Sequence, residues 1–497
     1  MVAHLGAGMP GERFGARVAA VGPSENHPAR SLPQEKPGSH RARSTSRNAI
    51  PWGHGHENAY ENHNENQNEN QNENPPLPRP MPRAHGPEPQ NPSMAKHLPI
   101  PPERPLTPLP RPLTDDLREP HPGPGDGALG GASMYRGLAA LAAMGIAGST
   151  GPSAVCELGA GGWYQGDPET IEPFAAALSR QVEAPLGEFG TGSALFDGEW
   201  RFGTYQMAAL GFGQAALADP AHRTENLARM RVAIDHALAH DVWAFDRAEW
   251  GDVALADLAH DRHDHAVLGY LGLALGLERT LDPHGPHAEI HDAVAAHLAR
   301  RLAIRGEAPI QTYPGEAYPV DMAAVLGALA LHAKSMGQPV PPAVDAAVRH
   351  WEAAYVADDG LLAQAVHPTT GHPGTARGSG TALAAYFLGF THPDVSARLR
   401  QGIRHQLAEN AAGFGGVREY RRGEDGSGDI DSGPLIAGFS VSATGFSLAA
   451  ARQSGDEAWF ADLYGTACMF GVPGDEGFLT GGPIGNAILF AMMTAPR

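Results

Sequence analysis

Six stretches of this chain are rich in Ala, Gly and Leu and carry almost no charge. They are Phe202–Leu217, Asp264–Leu277, Pro319–His332, Gly378–Phe390, Phe439–Ala451 and Gly482–Thr494. Their starts fall roughly sixty residues apart and tighten toward the end, which is the length of one helix pair with two loops. Helices apolar on every side must be covered on every side, so they belong inside a layer of other helices. Glycine weakens a helix by up to about 1 kcal/mol per residue. So many of them, Gly211, Gly213, Gly269, Gly272 and Gly276 among others, imply backbones that approach closely.

The covering layer is also legible. Between the apolar stretches lie Ala221–His240, His287–Ile304, Pro342–Tyr355, Pro393–Glu409 and Glu457–Cys468, with Pro168–Val182 as a sixth, started by the Asp167-Pro168 pair. These segments are charged on one face and apolar at i, i+3 and i+4. In His287–Ile304 the stripe is Ile290, Val294, His297, Leu298 and Leu302, with Asp292, Arg300 and Arg301 toward water. No run of alternating β-branched or aromatic residues of useful length occurs. The expected fold class is therefore all-α: six inner and six outer helices closed into an (α/α)6 toroid, with an open helical solenoid as the competing arrangement.

The first quarter of the chain has another character. Residues 1–131 are rich in Pro, Asn, Glu, Gly and His, with an Asn/Glu tract from Glu57 to Asn74 and a Pro tract from Pro75 through Pro112. Such composition buries too little apolar surface to offset chain entropy, so this stretch reads as disordered and the toroid domain as 132–497. A net charge of −19 and the lack of a basic patch with interleaved aromatics argue against a nucleic-acid partner. The short basic run Arg41, Arg43, Arg47 reads as a solvated tail.

The two cysteines, Cys156 and Cys468, exclude a disulfide framework but leave one bridge open. Counted from Met1 the chain has no leading apolar run and reads as cytoplasmic. Gly137–Gly148, after Met134-Tyr135-Arg136, reads as a packing helix, or as an export signal if translation starts at Met134. It is too short for a membrane span, so no stable membrane insertion is expected.

In a toroid the loops that lead into inner helices gather at one mouth, and the polar residues of this domain concentrate there. The first, Phe196-Asp197-Gly198-Glu199-Trp200-Arg201, offers Trp200 and, one turn on, Tyr205 as binding surfaces; in the plainer reading Trp200 packs and Glu199 and Arg201 are exposed. The second carries His263 and His265, beside Asp261 or Asp264 as a helix N-cap. A His-x-His pair shares a face on a strand but diverges at a helix start, so no metal is expected there.

The third, Thr312 to Asp321, holds Tyr313, Glu316, Tyr318 and Asp321, more phenols and carboxylates than a helix cap needs. The fourth offers Arg377 before Gly378-Ser379-Gly380, suited to an anionic group or to a neighbouring carboxylate. The fifth brings Glu419, Tyr420, Asp429 and Asp431 in a Gly-rich loop whose spacing is not that of an EF-hand. The sixth, Thr480 to Asn486, lacks the Lys-Ser/Thr pair of a phosphate loop. With no dinucleotide fingerprint or nucleophile elbow either, no cofactor is expected.

On this architecture, and on Tyr318-Pro319-Val320-Asp321, Arg377-Gly378-Ser379 and Asp429-Ile430-Asp431-Ser432-Gly433-Pro434, the region from Gly190 to Arg497 resembles the six-hairpin glycosidase-like superfamily. It is also similar to other (α/α)6 toroid enzymes, the uronyl epimerases and, distantly, the linalool dehydratase/isomerase-like proteins, and to uncharacterised bacterial proteins carrying similar strings.

The glycosidase resemblance implies a general acid and a general base on cavity loops, with Glu316 or Asp321 and Asp429 or Asp431 in those roles. An inverting hydrolase would hold the pair about 6.5–9.5 Å apart. The linalool enzyme implies paired catalytic cysteines, whereas here Cys156 precedes the ring and Cys468 lies in an outer helix. The expected partner is a saccharide or other small polyhydroxylated substrate. The alternatives are a dehydratase, isomerase or epimerase of the same fold, and a non-catalytic helical binding scaffold.

Overall fold

Burial separates the two kinds of helix as their composition requires. In a computed structural model, residues 156–411, 413–424 and 426–497 are described. The readings of residues 1–131 as disordered and of Gly137–Gly148 as a packing helix or export signal lie outside them. The inner helices are Ala194–Ala218, Leu268–Leu281, Pro319–Ser335, Gly378–Gly389, Val441–Gln453 and Gly482–Met493. Every residue from Phe202 to Ala216 is buried, and every one from Pro319 to Leu331.

The outer helices are Pro168–Glu183, Arg223–Ala237, Ala288–Arg305, Pro342–Tyr355, Pro393–Gln406 and Glu457–Gly471. Each hides only a stripe; in Ala288–Arg305 this is His291, Val294, Ala295, His297 and Leu298. Indole N–H groups help tie the layers, as where Trp351 donates to the Pro319 carbonyl at 2.9 Å.

Each inner helix packs on the next, and the last packs on the first, so the array closes into a ring and is not an open solenoid. Glycine makes the close approaches possible. A Cβ on Gly269 would stand 2.5 Å from the Val325 backbone nitrogen of the neighbouring inner helix. At the closure, Gly211 packs on the Phe490 ring, and Gln214 Nε2 donates to the Ala491 carbonyl at 2.9 Å.

Two local expectations change. The stretch Phe196–Arg201 is not a loop, because the first inner helix already begins at Ala194, with Ser193 accepting from the Phe196 N–H. Short antiparallel pairs also occur among the described residues: Ala408–Ala411 with Phe414–Val417, Leu435–Ile436 with Phe439–Ser440, and Pro473–Gly474 with Gly477–Phe478. They are turns with a few paired residues, too short for a periodic signal. Among the described residues no helix is long and apolar enough to cross a membrane.

Candidate functional site

The third arm is shaped by its own sequence. In Tyr313-Pro314-Gly315-Glu316 the Glu316 N–H donates to the Tyr313 carbonyl at 2.9 Å. Gly315 takes φ +87°, the left-handed conformation that a Pro-Gly turn of this kind demands. The turn sets Glu316 at the rim, where the Tyr318 hydroxyl donates to it at 2.9 Å. It also lets Pro319 start the inner helix.

Asp321, in the first turn of that helix, is fully buried. It accepts from the Tyr270 hydroxyl at 2.6 Å and from the Thr312 hydroxyl, and no side chain caps the helix start. Tyr313 crosses to the first arm and donates to Glu199, a carboxylate 3% exposed.

The fourth and fifth arms meet in an ion-pair network. Arg377 donates to Glu419 through Nε at 2.7 Å and to both oxygens of Asp429, through Nη2 at 3.0 Å and through Nη1. Glu419, fully buried, also accepts from the Ser379 hydroxyl at 2.6 Å and the Ser379 N–H at 3.2 Å. The anion at this helix N-terminus is therefore the protein's own Glu419. Tyr420 lies under the Arg377 guanidinium, 5.5 Å from ring centroid to Cζ. Asp431 N–H and Ser432 N–H both donate to Asp429 Oδ1, at 3.2 and 2.9 Å. Asp431 itself is half-buried, and its Oδ2 is buried with no hydrogen-bond partner.

Electrostatics separates these acids. Burial raises Asp431 well above the usual carboxylate range, and the charges of Asp429, Glu199 and Asp321 add to the effect. Glu199 is raised for the same reasons, by burial first and then by Asp321 and Glu316. Asp429 is also pushed up by burial, but the Arg377 guanidinium and Ser432 N–H outweigh that and bring it below its ordinary value. The phenols Tyr270, Tyr313 and Tyr318 are all raised, by burial and then by the carboxylate each one touches, so they remain hydrogen-bond donors. These mutual influences mark Glu199, Glu316, Asp321 and Asp431 as one electrostatic cluster drawn from three arms.

No protein-family model matches this chain, and no curated protein matches it.

The remaining expected residues stand elsewhere. Trp200 is half-buried with its ring edge-on to Phe189 at 6.0 Å. Tyr205 stacks on His236 of the outer layer at 5.0 Å and 12°, which puts it in the seam between layers. His265 is fully buried, with Nδ1 3.0 Å from Asp246 Oδ1. His263 is partly exposed and lies against Trp250 at 5.1 Å. The two imidazoles are 88° apart in plane. Among the described residues no group of three or more His, Cys, Asp or Glu is arranged to hold a metal ion.

The second arm acts as a brace: Trp250 Nε1 donates to the Thr312 carbonyl at 3.1 Å, and Gln311 N–H donates to Asp264 at 3.0 Å. A cleft of about 580 Å³ opens beside the fifth arm, lined by Tyr355, Thr375, Tyr420, Arg421 and Glu424 among others. It shares only Tyr420 with the residues described above.

Three participants escape the sequence reading: Glu199, Tyr270 and Thr312. Glu199 is hidden by taking its segment as a loop, since on a helix it falls three residues before buried Phe202. Tyr270 does leave a signal. A hydroxyl inside an otherwise apolar buried helix must find a partner, and its partner is Asp321.

Proposed function

We propose that the mouth of the ring is an acid/base active site acting on a sugar-like, polyhydroxylated substrate, in the manner of a glycoside hydrolase. The observation that carries this reading is the contrast between neighbouring acids. Asp431 has a buried, unpartnered oxygen and a raised proton affinity, while Asp429 is ionised against Arg377. Burial thus equips Asp431 to hold the proton that a general acid delivers, while Asp429, paired with Arg377, fixes the loop that carries it.

In this reading Asp431 donates the proton to the leaving oxygen. Asp321, acceptor of two hydroxyl hydrogen bonds, is the base that activates water, and Glu316 lines the approach. Asp429 holds the loop rather than reacting. Glu199 with Tyr313 supplies a second carboxyl–phenol pair for substrate hydroxyls. The likeness to six-hairpin glycosidases, in Tyr318-Pro319-Val320-Asp321 and Asp429 to Pro434, points the same way.

The test is hydrolysis of a panel of aryl glycosides and oligosaccharides by the wild type, Asp431→Asn and Asp321→Asn, with thermal melts alongside. The reading expects turnover by the wild type alone, with both variants remaining folded. A folded wild type inactive on the whole panel sinks it. Unfolding of both variants would make the two acids structural.

A second reading, a proton-transferring epimerase, isomerase or lyase of the same fold, is supported by the three phenols hydrogen-bonded to carboxylates. Such pairs relay protons without any water being added. Product analysis separates the two: new reducing ends for hydrolysis, an epimer or a new double bond otherwise. Binding without turnover would leave the scaffold reading.

A further inference from the structure

A closed ring has a seam where its first and last elements meet, and here the seam is visible. The Arg452 guanidinium donates to the Ala495 carbonyl at 2.5 Å, the Tyr164 carbonyl at 2.6 Å and the Trp163 carbonyl. Outside this join, residues 156–160 lie along the last outer helix, Glu457–Gly471. A Cβ on Gly159 would stand 2.8 Å from the Tyr464 hydroxyl, and one on Gly465 3.6 Å from Glu157 Cγ. Cys468 is one turn beyond Tyr464 on that helix, and Cys156 directly precedes Glu157. The chain has two cysteines, far apart in sequence, and the fold brings them near enough to interact, with both thiols free and half-buried.

We propose that Cys156 and Cys468 form a reversible disulfide that locks the seam of the ring. Contacts on either side, Gly159 with Tyr464 and Glu157 with Gly465, hold both cysteine-bearing segments in place.

The bond forms by exchange with a low-molecular-weight disulfide. The Cys156 thiolate attacks one sulfur of that disulfide and releases a thiolate, leaving a mixed disulfide. Cys468, having lost its proton, attacks the Cys156 sulfur and releases the second thiolate. Two protein thiols are oxidised, one small disulfide is reduced to two thiols, and the two protons pass to those products. Burial, with Cys156 beside it, pushes the Cys468 thiol up to about 12, which fits Cys468 as the slower, resolving partner.

The experiment exposes the native full chain to oxidised or to reduced glutathione, blocks remaining thiols with N-ethylmaleimide and reads intact mass and thermal melting. Reduced chain should carry a maleimide on each cysteine. Oxidised chain should carry none, show no glutathione adduct, run as a single chain, and yield a peptide linking Cys156 to Cys468. Oxidation should raise Tm in the wild type and not in Cys156→Ser or Cys468→Ser. Full maleimide labelling after oxidation, a stable glutathione adduct or a chain-to-chain dimer would each overturn the proposal, as would an internal bond that leaves Tm unmoved.

Discussion

Asp429 and Asp431 stand two positions apart on one loop and meet opposite electrostatics. Arg377 grips both oxygens of the first, while the second turns a buried oxygen toward the charges of Glu199 and Asp321 with no donor to meet it. The loop that provides this contrast is itself held from the fourth arm, since Arg377 also anchors Glu419. Position, charge and proton affinity at the mouth thus depend on contacts between arms.

Replacing Asp431 with Asn keeps the shape and removes the transferable proton. Turnover should fall about 10²–10⁴-fold, the usual contribution of a general acid, with no loss of melting temperature. Steady-state kinetics on any substrate found by the panel, read beside a thermal melt, checks both halves.

The same carboxyl predicts a pH dependence of stability. Its folded pKa lies above the unfolded value near 3.8, so the folded chain holds the proton more tightly than the unfolded chain. That stabilisation is complete below the unfolded value, declines as pH rises above it, and stops declining once the raised folded value is passed. Urea melts across this range should show the wild type losing stability relative to Asp431→Asn as pH increases. Asp429, lowered by Arg377, behaves oppositely: its contribution is present above the unfolded value and is lost as pH falls through the folded one.

Arg377→Ala should be far more damaging than any change at the rim. It leaves Glu419, fully buried, and Asp429 without their counter-charge, a loss of about 3–5 kcal/mol for a broken buried pair. Chemical denaturation measures it; a cost below about 1 kcal/mol would mean that the network is relaxed or wet.

Two glycine substitutions test the ring's packing with opposite signs. Gly269→Ala drives a methyl into the Val325 backbone and should cost about 1–3 kcal/mol. Gly485→Ala, in an inner helix where a Cβ meets nothing within 4 Å, should stabilise by about 0.4–1 kcal/mol. Denaturant midpoints of the two variants decide it.

Architecture is legible in this sequence because both helix types obey a simple rule. All-round apolarity marks Pro319–Ser335 as inner, and a one-sided stripe marks Pro342–Tyr355 as outer. Asp321 and Asp431 draw notice in the sequence because each stands where a polar loop leads into an inner helix.

Partnership between arms is not legible. Whether Arg377 receives an outside anion or Glu419, or whether Tyr205 faces the mouth or His236, depends on where separate helices come to rest. Glu199 shows the cost of a helix boundary placed a few residues late: a buried acid of the cluster then reads as an exposed loop residue.

The account rests on acids from different arms sharing one electrostatic site. The direct measurement is a ¹³C NMR titration of the Asp431 carboxyl, assigned through Asp431→Asn, in the wild type and in Glu199→Gln. A midpoint well above 3.8 in the wild type that falls in Glu199→Gln is the predicted result. An ordinary midpoint, or a raised one indifferent to Glu199, would contradict it.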